Sequence, residues 1–184
     1  MFKPLYWDIF LTKLTFRLFG KMIYKRFADR LPLNGDEYVL DFGSGMGTVA
    51  FYVVKRLPRI RLFCADVSAR WLAACCRTMS RNPGVSYLLG DIYNLPLAKD
   101  SFDMIYCHFV LHDIPDQELA KVIPALAELL KPDGLLVFRE PLDKMDKLSV
   151  IQNLLKQNGL SQKDSRITDT TIIGNTLESI YIKL

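Results

Sequence analysis

Asp41-Phe-Gly43-Ser44-Gly45-Met-Gly47 places three glycines and a serine directly behind a short apolar run, Tyr38 to Phe42, and directly ahead of a helical one. Glycine in such a turn admits positive φ and lets the main chain approach a ligand, while the N–H groups of a helix start favour an anionic group such as a carboxylate. A tight strand-to-helix turn needs glycine for its own sake, so the loop alone decides little. Two further positions add to it. Asp66 ends the next apolar run, where a carboxylate accepts hydrogen bonds from ribose hydroxyls. Gly90-Asp91-Ile92 follows the third run, where Asp91 meets an adenine amino group and Ile92, with Val67, sandwiches the ring. Each aspartate taken singly reads as a turn former or helix cap; at successive strand ends they read as the grip of a nucleoside. A dinucleotide fingerprint would place its third glycine where Thr48 stands, which sets NAD behind an adenosyl ligand without a pyrophosphate.

His108 and His112 are the chain's two histidines, and both follow the fourth apolar run, Phe102 to Cys107. Either has the residue type for a general base near neutral pH. The plainer reading has His112 orient the loop Leu111-His-Asp-Ile-Pro115 and His108 pack against a ligand. Cys107 reads as a buried strand-end thiol rather than a nucleophile, since no neighbouring cation is evident to lower its pKa. No cysteine spacing suits a metal site or a disulfide framework, and a reducing, cytoplasmic setting is expected.

These residues need elements to hold them. Apolar runs at Tyr38 to Phe42, Arg61 to Ala65, Val85 to Leu89, Phe102 to Cys107 and Leu135 to Phe138 predict strands. Helices are predicted over Thr48 to Arg56, from Ala69 to about Arg81, over Asp116 to Leu130, and over about Lys147 to Asn158. Strands apolar on both faces and separated by helices require a parallel sheet covered on both sides, a doubly wound α/β fold. Two β-rich pieces, Lys163 to Ile173 and Leu177 to Leu184, close the sheet as a hairpin. With 184 residues, half of them hydrophobic, the chain is expected to form one domain: an N-terminal helical segment over 1–32 and a core over 33–184.

Val39-Leu-Asp-Phe-Gly-Ser-Gly-Met-Gly47, Asp66, Gly90-Asp-Ile92, the run Phe102 to His112 and Leu130-Lys-Pro-Asp-Gly-Leu-Leu-Val137 together resemble the ordered motifs of class I S-adenosylmethionine-dependent methyltransferases. Within these the chain is most similar to the small-molecule, ubiquinone- and menaquinone-biosynthesis-like branch. The resemblance covers about residues 33–184. It implies a Rossmann-like seven-stranded, mostly parallel sheet with the last strand antiparallel. It implies S-adenosylmethionine as donor and S-adenosylhomocysteine as product. It also implies that Asp41 and the backbone of Gly43, Ser44, Gly45 and Gly47 hold the methionine end, Asp66 the ribose, and Asp91 with Ile92 the adenine, while Cys107 and His108 line the donor beside its methyl. The aromatic, proline-rich signature for methylating exocyclic amines is not what stands at Cys107-His-Phe-Val110.

A charge of +4, from 24 Lys+Arg against 20 Asp+Glu, with no long basic run, does not announce a nucleic-acid binder. A small apolar or aromatic acceptor is expected. Residues 4–30 are rich in Phe, Leu and Tyr, with Trp7, and carry Lys13, Arg17, Lys21 and Lys25 at every fourth position. The first expectation is a helix covering the core with a charged face in water; a lid over the acceptor and a helix touching anionic lipid compete with it. The acceptor pocket would draw its walls from this segment, from 108–116, from 141–146 and from 168–175. A non-catalytic module that binds a nucleoside cofactor is the reading from outside enzymology.

Overall fold

In the computed structural model, residues 6–80, 82–170 and 173–184 are described. The start of the N-terminal segment, the side chain of Trp7, the predicted helix end at Arg81 and positions 171–172 of the hairpin lie outside them. The fold is the expected α/β, Rossmann-like one, with a seven-stranded mixed, mostly parallel sheet. Two compact units divide the chain, Met1–Asp91 and Ile92–Leu184.

The first unit opens with helix α1 (Tyr6–Gly20), a π turn (Lys21–Lys25) and the short α2 (Arg26–Arg30). Strands β1 (Tyr38–Phe42), β2 (Arg61–Asp66) and β3 (Val85–Leu89) alternate with helices α3 (Thr48–Arg56) and α4 (Ala69–Thr78). All three strands are parallel, with β2 in the middle, so that Asp41 pairs with Cys64 and Asp66 with Leu89. Val39, Leu40, Leu62 and Cys64 are fully buried, as a parallel sheet covered on both faces demands. Ser68, expected as the α4 cap, accepts from Trp71 N–H at 3.4 Å. Phe16 anchors α1 on α3, with its ring 5.6 Å from Phe51 and 5.7 Å from Tyr52. α1 thus meets α3 through Phe16, while Phe10, Leu11, Leu14 and Leu18 are exposed.

The second unit holds β4 (Phe102–His108), α5 (Asp116–Leu129), β5 (Leu130–Pro141), α6 (Met145–Gln157), β6 (Leu160–Thr170) and β7 (Gly174–Lys183). β4 and β5 are parallel, while β7 lies between β5 and β6 and runs antiparallel to both. The antiparallel last strand is as the resemblance implied. β5 begins earlier than its apolar run, because Leu130 already pairs with Phe102 before a register shift absorbs Lys131 to Gly134, where Asp133 takes φ +62°. β6 also begins earlier than read, since pairing with β7 carries the polar stretch Ser161 to Asp164 into the sheet.

Candidate functional site

The glycine loop of the first unit closes on Asp66. Gly45 N–H donates to one oxygen of the Asp66 carboxylate at 2.9 Å, and Ser68 N–H to the other at 2.8 Å. Two of the roughly four lone-pair sites of a carboxylate are thereby used, leaving acceptor capacity for a ligand hydroxyl. Burial pushes the Asp66 carboxyl above its ordinary value, against the lowering effect of the Ser68 and Gly45 amides. Gly43 and Ser44 N–H both donate to Ala65 O, at 2.9 and 3.0 Å, and Gly47 N–H donates to Ser44 O at 2.8 Å. The amides read from sequence as free anion donors thus serve largely to fold the loop. What the loop offers a ligand is different: the buried Ser44 Oγ has no hydrogen-bond partner among the described residues. At Gly45, φ is +53° and a Cβ would meet no protein atom within 4 Å. At Gly47 a Cβ would stand 2.7 Å from Cys75 Sγ, so its smallness also serves the packing of α3 on α4.

The other first-unit candidates fall around this loop in graded exposure. Asp41 is buried within β1, Val67 is 40% exposed just past Asp66, and Asp91 is exposed after β3. An apolar Val67 left open next to a carboxylate suits a ring laid against it. Cys64 is hydrogen-bonded to Cys75, which with burial holds its thiol well above the ordinary value and keeps it inert.

In the second unit, Ile92 begins a short 3-10 turn and is buried, and Cys107 is buried within β4 as read from sequence. The two histidines meet opposite surroundings. His108 pairs in register with Arg139 of β5, whose Nη1 lies 3.4 Å from His108 Nε2. Burial, and then the Arg139 charge, hold His108 well below its ordinary value, so it is neutral. Arg139 and its pairing partner on β7, Glu178, are each 2% exposed; the guanidinium meets Glu178 Oε2 at 3.1 Å through Nε and 2.7 Å through Nη2. Arg166 of β6 takes the other Glu178 oxygen, at 2.9 Å through Nε. One register row therefore carries His108, Arg139, Glu178 and Arg166 across four strands.

His112 sits on the 3-10 turn Leu111–Asp113 and is hydrogen-bonded through Nδ1 to Glu140 Oε2. The other oxygen of Glu140 accepts Val110 N–H at 3.0 Å and Leu111 N–H at 2.8 Å. Reading the sequence singled out neither Arg139, Glu140 nor Glu178. The signal was present in Phe138-Arg-Glu-Pro141, two opposite charges directly after the apolar run Leu135 to Phe138, which burial tolerates only when each is paired.

A methyltransferase-domain family model matches residues 39–134, just over half of the chain. Among curated proteins the chain is similar to the tRNA N(3)-methylcytidine methyltransferase trm141 of Schizosaccharomyces pombe, 29% identical over 125 residues, 65% of this chain and 49% of that protein. It is also similar to the trans-aconitate 2-methyltransferase of Escherichia fergusonii, 31% identical over 112 residues, 61% of this chain and 42% of that protein. The chain thus spans about half, or less, of the length of these relatives. Its fold matches the crystal structure of an S-adenosylmethionine-dependent methyltransferase from Mesorhizobium loti, with a TM-score of 0.71, 17% identity and coverage of 91% of this chain and 99% of that one. A putative methyltransferase solved in complex with the Haloferax volcanii Trm112 activator gives a TM-score of 0.72 at 17% identity, over 93% and 92% of the chains.

Proposed function

This chain belongs to the class I S-adenosylmethionine-dependent methyltransferases, and from that premise we propose that it transfers the donor's methyl group by direct displacement to a small apolar or aromatic acceptor. The observation that carries the donor half is the Asp66 carboxylate, closed over by Gly45 N–H yet with acceptor positions in reserve. The residues fit the donor: an orphaned Ser44 Oγ and open space at Gly45 for its polar end, Asp66 for ribose hydroxyls, and Val67 with Asp91 for the adenine. The methionine-end contact expected of Asp41 rests on its place in β1, where it is buried just ahead of the loop. The donor contacts expected of Ile92, Cys107 and His108 rest on their order in the sequence.

S-adenosylmethionine, when bound, supplies a methyl already activated on a sulfonium. The protein's part is to align, to exclude water and, where the acceptor carries a proton, to remove it. α1 suits an acceptor drawn from or near a lipid surface, since Phe10, Leu11, Leu14 and Leu18 are exposed beside the exposed Lys13, Arg17 and Lys21. Among the described residues no helix is long and apolar enough to cross a membrane. Sedimentation with anionic vesicles, weakened by salt and by Leu14→Glu with Leu18→Glu, checks that contact; equal sedimentation of the double variant removes it.

Calorimetry with S-adenosylhomocysteine and NAD tests the donor. The expected outcome is binding of the first alone, weakened by about 1 to 3 kcal/mol in Asp66→Ala; unchanged affinity in the variant ends the Asp66 assignment. Incubation with methyl-labelled donor and a panel of quinols, phenols, lipids, peptides and tRNA tests the acceptor. Label in the small apolar compounds is expected, and label confined to tRNA, in keeping with the trm141 similarity, overturns that half.

A further inference from the structure

We propose that His112 and Glu140 form a proton-accepting dyad for the acceptor, which identifies the acceptor as a weakly acidic hydroxyl, phenol or enol rather than a group that arrives with a free lone pair. This rests on the methyl-transfer reading. The geometry begins with Glu140, which is fully buried near the carboxyl end of β5. Two backbone amides and the His112 ring all point at its carboxylate, three donors on one acceptor group. With Glu140 accepting from all three, His112 Nδ1 carries the proton in the proposed tautomer, which leaves the lone pair on Nε2. Nε2 has Asp113 Oδ1 at 3.3 Å, on a side chain 74% exposed that is free to turn into water. His112 follows the carboxyl end of β4 and Glu140 lies in the last two residues of β5, at the edge where open α/β sheets place their ligands.

The charges facing His112 are Glu140 from β5, Asp113 from its own turn and Lys144 just beyond β5. On α6, Lys147 is spent on an ion pair with Asp116. Burial alone would lower the imidazole pKa, but the hydrogen bond and charge of Glu140, with Asp113, outweigh burial and Lys144 and hold it above the ordinary 6.5. His108 cannot share the task, because its Nε2 faces the Arg139 guanidinium. Two histidines pushed in opposite directions are sorted by their surroundings into a proton acceptor and a neutral packing ring.

An oxygen lone pair of the acceptor forms the new O–C bond while the C–S bond breaks with its electrons to sulfur, turning the sulfonium into a neutral thioether. The hydroxyl proton passes to His112 Nε2, where the imidazolium is stabilised by Glu140, and is later released to water. A carboxylate or an unprotonated ring nitrogen would leave the dyad nothing to do.

A Glu140 that merely caps the turn after β4 predicts different results. With two histidines in the chain, ring-nitrogen NMR of the full-length protein, assigned with His108→Gln, reads tautomer and titration without disturbing the dyad. Nδ1–H and a pKa above the ordinary value are expected for His112, falling in Glu140→Gln. With a phenol or enol acceptor, His112→Gln should lower kcat on the order of 100-fold or more and flatten the acidic limb of the pH–rate profile, while S-adenosylhomocysteine binds as before. Glu140→Gln should shift that limb to lower pH in step with the NMR titration. An Nε2–H tautomer, an unchanged kcat in His112→Gln, or a favoured carboxylate acceptor with a pH-independent rate overturns the dyad. If the wild-type protein fails to bind S-adenosylhomocysteine, the methyl-transfer reading falls and the dyad with it; intact binding with any of the other outcomes removes the dyad alone.

Discussion

A Cβ added at Gly47 would lie 2.7 Å from Cys75 Sγ, whereas one added at Gly45 would meet no protein atom within 4 Å, although both residues have positive φ. Gly45→Ala should therefore cost about 1–2 kcal/mol of left-handed backbone strain and lose donor affinity besides, because the space it fills is the one proposed for the donor's polar end. Gly47→Ala should add about 1–3 kcal/mol of overpacking, and that increment should shrink in a Cys75→Ala background. Urea unfolding of the five proteins, wild type included, paired with donor calorimetry, checks both; equal stability losses at the two glycines would erase the distinction. The histidines make a second residue-level contrast. His112 is raised in the fold, so its stabilisation is fully present below pH 6.5 and is lost as pH rises through the folded value. His108 is lowered, so its contribution is present above 6.5 and is lost as pH falls. The stability gap between wild type and His112→Gln should thus be widest on the acid side of neutrality and close toward alkaline pH, as urea titrations across that range would register.

Between residues and the whole stand the strands of the second unit, whose register is pinned by charge. Arg139, Glu178 and Arg166 meet only if β5, β7 and β6 pair as they do; a slip of one residue would turn the row to the opposite face. Glu178→Gln leaves two guanidiniums against a neutral amide, one of them buried, and should cost roughly 3–5 kcal/mol. Arg139→Met with Glu178→Met removes the buried pair together and should cost less than Glu178→Gln, by denaturant midpoint. Such a row is poorly legible in sequence, because its members are far apart in the chain and pairing appears only once the strands are registered. Phe138-Arg-Glu-Pro141 hinted at buried charge without naming a partner. The strands and helices around the glycine loop were legible because apolar runs, Ser68 and the glycines act locally. Asp66 was legible for the same reason, being set by a strand end. The Glu140–His112 contact was not, since it joins separate strand ends.

On the scale of the molecule, the family match ends at residue 134, so the glycine loop, Asp66 and Asp91 lie inside it while Arg139, Glu140 and Glu178 lie beyond. The donor is therefore the better-supported half of the function, and its consequence should register in the stability of the whole chain. A ligand that binds only the folded protein stabilises it by about 2.7 kcal/mol at a hundredfold excess over Kd. For a domain of this size each kcal/mol raises Tm by about 2–4 °C, so S-adenosylhomocysteine at that excess should raise it by roughly 5–11 °C. NAD at the same concentration should leave Tm where it was. Asp66→Ala should lose from about a third to about nine-tenths of the shift at fixed ligand concentration, because binding weakened by about 1 to 3 kcal/mol lowers the saturation ratio inside the logarithm. Ser44→Ala should lose a smaller part, since one neutral hydroxyl contributes less than a carboxylate with two acceptor oxygens. Differential scanning calorimetry of the three proteins, with each ligand, orders these effects, and a shift of equal size in Asp66→Ala and wild type would place the adenosyl ligand somewhere other than the end of β2.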